Sequence, residues 1–204
     1  YPRSKRKVKL DSLVKMGKRS HMRDLDPLRN IMNAISGKEW SKIDSLNGKF
    51  AVELPENASI SYTYPPETTQ KIPGITYFVS DQNGGVAYFV KYEDYSGPIA
   101  NTNVNPEELR EDVVQFFLKS LVDSEVKNYI DGGASIEGLA SEFIKIHERH
   151  TIKYTGAISK SEGSKNMLEA VIILAGTAVF TISTISRKGC VSNLKRVLDS
   201  LEIK

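Results

Sequence analysis

Between Lys49 and Tyr95 the chain lays down three or four extended runs in fewer than fifty residues, each closed by its own turn chemistry. Gly48-Lys49-Phe50-Ala51-Val52-Glu53-Leu54-Pro55 alternates apolar and polar side chains as a half-buried strand does, and Pro55 removes a ladder donor where that strand must stop. Ser59 to Tyr64 is rich in β-branched and aromatic residues and halts at Pro65-Pro66. Ile75 to Ser80 and Val86 to Tyr92 flank Asp81-Gln82-Asn83-Gly84-Gly85, a loop of residues that tolerate positive φ, which predicts a β-hairpin. The remainder of the chain is expected to cover and close the sheet begun here.

Further on, Asn103 to Asn105 with Pro106 and Glu107-Glu108 makes a capped, dipole-favoured helix start. Leu109, Val113, Phe116 or Phe117, and Leu121 then trace one face of a helix from about Pro106 to Val122. Glu125 to Ile130 reads as a short strand before Asp131-Gly132-Gly133, and Leu139 to His147 and Thr151 to Ser159 alternate as two more. Met167 to Leu174 and Ala178 to Ile185 are the most apolar runs, as central strands of a covered sheet are. Val191, Leu194, Leu198 and Leu201 share a helical face, so a second amphipathic helix is expected to pack back onto the sheet. The sequence thus predicts an α+β fold.

At 204 residues the chain suits one core with an appendage, and the charge shows where the appendage lies. Residues 1–23 hold nine of the 28 Lys and Arg but one of the 25 Asp and Glu, a net of +8; the overall +3 therefore leaves the remainder at −5. This basic arm has no sustained hydrophobic period, and alone it is expected to be disordered. Ser20-His21-Met22 also has the form of a cloning scar, which would make residues 1–22 vector sequence. The start at Tyr1 suggests a removed upstream segment, such as a signal or transit segment. Residues 24–47 read as a short helix and linker: Asp26-Pro27 starts the helix, Leu28, Ile31, Met32 and Ile35 form its sticky face and Gly37 ends it. Trp40 is expected to anchor the approach to the first strand, in the core or over its rim. No apolar run approaches the roughly 20 residues that span a bilayer, so no transmembrane segment is expected.

Candidate chemistry is sparse. His147-Glu148-Arg149-His150 is the tightest group of potential ligands, with Glu142 nearby, but on a strand residues three apart point to opposite faces, and in a turn Arg149 sits between them as a repelling charge. A solvated strand end explains the group better than a metal site. The lone Cys190 reads as a small buried hydrophobe, and Gly84-Gly85 and Gly132-Gly133 lack the lysine and spacing of a phosphate or dinucleotide loop. No histidine accompanies a nucleophile turn. The chain is expected to be non-enzymatic, with no catalytic residues, metal or cofactor. Tyr62, Tyr64, Tyr77, Tyr88, Tyr92 and Tyr95 cluster along the first half of the sheet, either as core and rim residues or as a recognition face; with Pro65 and Pro66 beside them, Tyr62 to Pro73 is the candidate contact surface.

Several local phrases resemble a family. Gly48 to Pro55 resembles the opening G-x-F-x-V-x-x-P strand of PsbP-like proteins, and Ala87-Tyr88-Phe89-Val90-Lys91-Tyr92-Glu93-Asp94-Tyr95 resembles their A-Y-x-V-x-Y-x-D-Y/F strand. Ile136 to Phe143 is similar to the glycine-led strand after the long helix, and Val197 to Ile203 to the terminal helix and its S-F-x-I exit, with Leu201 in place of Phe. The resemblance covers residues 48–204. It implies a PsbP-like domain, an α-β-α sandwich with an antiparallel sheet flanked by helices, preceded by the basic extension. Proteins of that kind are mostly non-catalytic accessory proteins, among them thylakoid-lumen extrinsic subunits, bacterial envelope lipoproteins and a small Ran-binding import factor. The expectation is an accessory or adaptor protein that docks onto a larger protein assembly through its domain surface and through Lys5, Arg6, Lys7 and Lys9 of the arm. An extracytoplasmic compartment, the bacterial envelope or the plastid thylakoid lumen, goes with it. The alternatives are a nucleic-acid binder that uses the arm for phosphate contacts, or an envelope protein with a small-ligand or metal site between helix and sheet. A polar-lined pocket there favours the last.

Overall fold

The computed structural model describes residues 40–56, 58–63, 72–81, 85–96, 109–160 and 165–204. The arm and the helix expected after Asp26-Pro27 lie outside them. In chain order the elements are β1 (Trp40–Asp44), β2 (Phe50–Pro55), β3 (Ser59–Thr63), β4 (Gly74–Asp81), β5 (Val86–Asp94), α1 (Glu111–Asp131), β6 (Ser135–Ile146), β7 (Arg149–Ser159), β8 (Asn166–Ala175), β9 (Ala178–Arg187), α2 (Leu194–Asp199) and β10 (Glu202–Ile203).

The main sheet is antiparallel, seven strands in the order β3-β4-β5-β9-β8-β7-β6. Its middle is where the sequence is most apolar: β9 pairs with β5 from Val86↔Ser186 to Asp94↔Ala178 and with β8 from Asn166↔Arg187 to Ala175↔Ala178. A strand covered on both faces gains from β-branched side chains at successive positions, and β9 is buried from Val179 to Ser186. The first half of the chain divides between two sheets, contrary to the single sheet expected of Lys49 to Tyr95. β2 pairs with β1 and with β10, making a separate three-stranded sheet. β2 is buried at Phe50, Ala51, Val52 and Leu54, so the alternation that suggested one wet face is weaker in space than in sequence.

Two cores follow from the alternation of β5. Val86, Tyr88, Val90 and Tyr92 face the small sheet and α2, and there they meet Phe50, Tyr77, Phe180, Ile182 and Val197. Phe50 is edge-on to Tyr77 at 5.7 Å and to Phe180 at 5.5 Å, arrangements that match the ring quadrupoles. The Tyr77 hydroxyl leaves this core by accepting the Leu46 N–H at 2.9 Å. Trp40 closes the rim, edge-on to Tyr88 at 5.4 Å, with the Arg196 guanidinium 4.4 Å above its ring and paired to Glu53 at 3.0 Å. On the opposite face α1 covers Ile152, Tyr154, Leu168, Ala170 and Ile172. The main sheet therefore lies between two layers that each contain a helix, and the short α2 shares its layer with the small sheet.

Three helical expectations are corrected. Glu125 to Ile130 is the last part of α1 and not a strand, because Leu118, Val122, Val126 and Tyr129 continue one helical stripe that the short alternating reading hid. The fully buried face of α1 is Val114, Leu118 and Val122; of the expected face, Leu109, Phe117 and Leu121 pack partly buried against the same core, whereas Val113 and Phe116 are 44% and 77% exposed. α2 is six residues long, so Val191 stands in solvent and Leu201 is buried beyond the helix end. Among the described residues no helix is long and apolar enough to cross a membrane.

Candidate functional site

Of the residues singled out by sequence, Lys5, Arg6, Lys7, Lys9, Tyr64, Pro65 and Pro66 lie outside the described residues, and Tyr62 is described only as a backbone position in β3 opposite Ile75. The neighbouring tyrosines are core: Tyr77, Tyr88 and Tyr92 are each 5% exposed or less. Tyr95 alone turns to the α1 face, edge-on to Phe117 at 5.8 Å. The aromatic cluster thus serves packing wherever it is described.

The open surface lies at the other end of the sheet. β6 is the outermost strand beside β7, twelve residues long and exposed at nearly every position. Its ladder to β7 is interrupted between Glu137 and Ala140, where Gly138 takes a φ of 63°. A glycine there lets two residues of β6 oppose one of β7, since a Cβ would strain that backbone. Beyond this bulge the pairing Phe143↔Ile152 and Ser141↔Tyr154 sets Ser141, Phe143 and Lys145 on the α1 face. Leu139 and Phe143 are each 43% exposed. The first turns of α1 stand beside the far end of this row. Glu111, Val114, Gln115 and Leu118 of the helix and Phe143, Ile144, Lys145, His150 and Thr151 of the strands enclose an open cleft of about 260 Å³. Polar and charged side chains share the lining with apolar ones, and a polar lining is the feature expected to favour a small-ligand site between helix and sheet.

β6 and β7 are joined by His147-Glu148, with φ of 50° and 61°. Positive φ at both central residues is what a two-residue hairpin needs to match strand twist. His147 is thereby an exposed turn residue, while His150 lies on β7 opposite Lys145. Among the described residues no three ligand-type side chains group to hold a metal ion. Cys190 is partly buried against the small-sheet core, its sulfur so near Gly85 that a Cβ there would lie 2.7 Å away.

A second polar feature runs beneath the C-terminal half of α1. Lys91 of β5 faces the helix, its Nζ 2.6 Å from Glu125 and 3.0 Å from Glu93. All three side chains are under a quarter exposed. Desolvation pulls the Lys91 pKa down, but Glu125 and Glu93 outweigh it and the net movement is upward. Burial, helped by Glu125, pushes Tyr129 up to about 12 despite a hydrogen bond with Ser183, and burial raises Tyr95 to about 12. The Tyr154 hydroxyl, deep under the helix, is raised well above its ordinary value by burial and has no hydrogen-bond partner. Every one of these shifts moves away from neutral pH. They hold a charged lysine and neutral phenols, whereas general acid-base work calls for groups brought toward neutrality.

Sequence reading missed both features. Lys91 carried a signal, a lone cation in an otherwise apolar alternation, but its partner Glu125 was assigned to a strand. For Leu139 and Phe143 the sequence shows only an alternating strand, because alternation alone does not say which strand is outermost.

No family model and no curated protein matches the chain. Among solved structures, a Bacteroides thetaiotaomicron VPI-5482 protein is similar over 80% of this chain and 48% of its own length, at 13% identity and a TM-score of 0.44. The solution structure of cyanobacterial PsbP (CyanoP) from Synechocystis sp. PCC 6803 is similar over 81% of this chain and 92% of its own, at 8% identity and a TM-score of 0.46. The chain spans about half the length of the Bacteroides protein it matches.

Proposed function

We propose that this chain is a non-catalytic accessory protein that docks onto a protein assembly through the open edge of its main sheet, with the basic arm adding long-range attraction. One observation carries the reading: among the described residues no strand pairs with the outer side of the twelve-residue edge strand β6, which bears Leu139 and Phe143 half in water. Natural sheets blunt their edges, because unpaired backbone groups beside apolar side chains recruit other chains. The pKa shifts directed away from neutrality are in keeping with a role that turns over no substrate. The local phrases shared with PsbP-like proteins lend the same support and carry with them a bacterial-envelope or thylakoid-lumen setting. The cleft of about 260 Å³ falls below the roughly 300 Å³ at which small-molecule pockets begin, so it suits one side chain better than a ligand.

The test is isolation of the full chain and of a chain lacking residues 1–23 from the native source, at low and high salt. A defined protein partner that stays with the full chain at low salt, and is weakened by salt or by loss of the arm, is the expected result. Nucleic acid as the sole companion, lost with the arm, would transfer the reading to a nucleic-acid binder. A monomer without companions in every condition would refute docking.

A further inference from the structure

We propose that residues 140–146 of β6 take an extended peptide of the partner as an eighth strand, with an apolar side chain over Phe143 and an acidic side chain beside Lys145 and His150. The inference rests on the docking reading and names the chemistry that the edge selects.

Three observations carry it. The outer side of β6 has no strand beside it among the described residues, so its outward N–H and C=O groups offer a ladder. The bulge at Gly138 and Leu139 limits that ladder to the stretch from Ala140 on, where the pairing with β7 is regular. The charges that ordinarily guard an edge are already answered within the chain: Glu137 is paired with Lys165 at 2.6 Å and Glu142 with Lys153 at 3.8 Å. Lys145 is the charge on β6 with no ion-pair partner among the described residues, and His150 stands directly across the ladder from it.

Side chains of an added strand fall on alternate faces, so those on the α1 face meet Ser141, Phe143 and Lys145 in turn. The matching peptide has an apolar residue over Phe143 and an acidic residue two positions beyond it. Near Phe143 and Lys145 the cleft of about 260 Å³ opens beside Glu111, Val114, Gln115 and Leu118 of α1, room for one side chain. Specificity then comes from the pockets and affinity from the backbone ladder.

The experiment is selection from a phage-displayed library of random twelve-residue peptides on the full chain. Affinities of the enriched peptide are then measured for the wild type and for Phe143→Asp and Lys145→Glu. Enrichment of the stated pattern is expected. Phe143→Asp should weaken binding by about tenfold or more, and Lys145→Glu should do the same while restoring binding of a peptide whose acid is replaced by lysine. N-methylation of alternate peptide amides should abolish binding in one phase and spare it in the other, the signature of a β-ladder. Both substituted residues are exposed, and an unchanged thermal midpoint confirms the fold; Lys145→Glu serves alone if Phe143→Asp does not fold. Absence of enrichment, a pattern without the acid, or affinity indifferent to both substitutions would overturn the proposal. A native partner captured equally by wild type and Phe143→Asp would overturn strand addition and leave docking standing, whereas no partner for either would refute docking itself.

Discussion

Replacing Lys91 by Met removes a cation held between two carboxylates, and the structure sets the size of the effect. Lys91 Nζ is 2.6 Å from Glu125 and 3.0 Å from Glu93, with the three side chains 16 to 23% exposed. At an effective dielectric of about 20, each contact carries roughly 5.5 to 6.5 kcal/mol of gross attraction, much of it cancelled by the desolvation of all three groups. The substitution deletes the attraction, leaves both carboxylates desolvated and adds their mutual repulsion. Losing one member of such a group costs about 3 to 5 kcal/mol, and the residual exposure argues for the lower end. About 3 kcal/mol corresponds to a fall of roughly 6 to 12 °C in thermal midpoint for a domain of this size. Urea unfolding of both chains at pH 7 measures the difference. A loss below about 1 kcal/mol would refute the account of the seam.

Other expectations are simpler to check. Leu118→Ala should cost about 3 to 5 kcal/mol and Phe116→Ala less than about 0.5 in urea unfolding, because the first is fully buried and the second is 77% exposed. Tyr129, raised to about 12 by burial, favours folding below its unfolded pKa of 10.0 and loses that contribution as pH climbs through 12; Tyr129→Phe should therefore flatten the fall in stability between pH 10 and 12, by about 2 to 3 kcal/mol over the window. His147→Asn with Glu148→Gly, which places residues tolerant of positive φ where the hairpin demands them, should raise stability by about 1 kcal/mol in thermal melts.

How far the sequence foretold this molecule depends on which interactions decide each element. The β4–β5 hairpin and the β8–β9 pair were legible because turn residues and apolar runs are local signals, and both pairs formed in the expected places. Allocation of strands to sheets was not legible: β2 and β3 are neighbours in sequence, yet β2 pairs with β10 near the other end of the chain. Nothing within a short window encodes a partner some 150 residues away. Residues 125–130 failed for a different reason, since Glu-Val-Lys-Asn-Tyr-Ile alternates like a strand and continues a helical stripe equally well. Length decided it, because a helix already nucleated at Glu111 extends at little cost while a new short strand must first find an edge. Phe116 shows the complementary limit: adjacent phenylalanines carry the same apolar weight, and a small rotation of the helix determines that Phe117 meets Tyr95 while Phe116 meets water.

The two sides of the main sheet are built differently, and that difference says where adaptation is cheap. Against the small sheet, Phe50, Tyr77, Tyr88, Tyr92 and Phe180 interlock around strands paired on both edges, and the rim is pinned by Arg196 on Trp40 and Glu53. Interlocked aromatics forbid small displacements, because each ring's position is set by several others. Beneath α1 the floor is Ile152, Leu168, Ala170 and Ile172, aliphatic and smoother, and the fixed points are the Glu125–Lys91 contact and the Tyr129–Ser183 hydrogen bond. Both lie in the C-terminal half of the helix, on the β5 and β9 side. The N-terminal half, which borders the cleft and the open end of β6, rests on Val114 and Leu118 with no ion pair to the sheet among the described residues. A strand added to β6 would therefore press on the half of α1 that is held by apolar burial and the Phe117–Tyr95 ring contact, without an ion pair to the sheet among the described residues. The ion-paired half would keep the helix in place while the cleft widens or narrows to suit the side chain it receives.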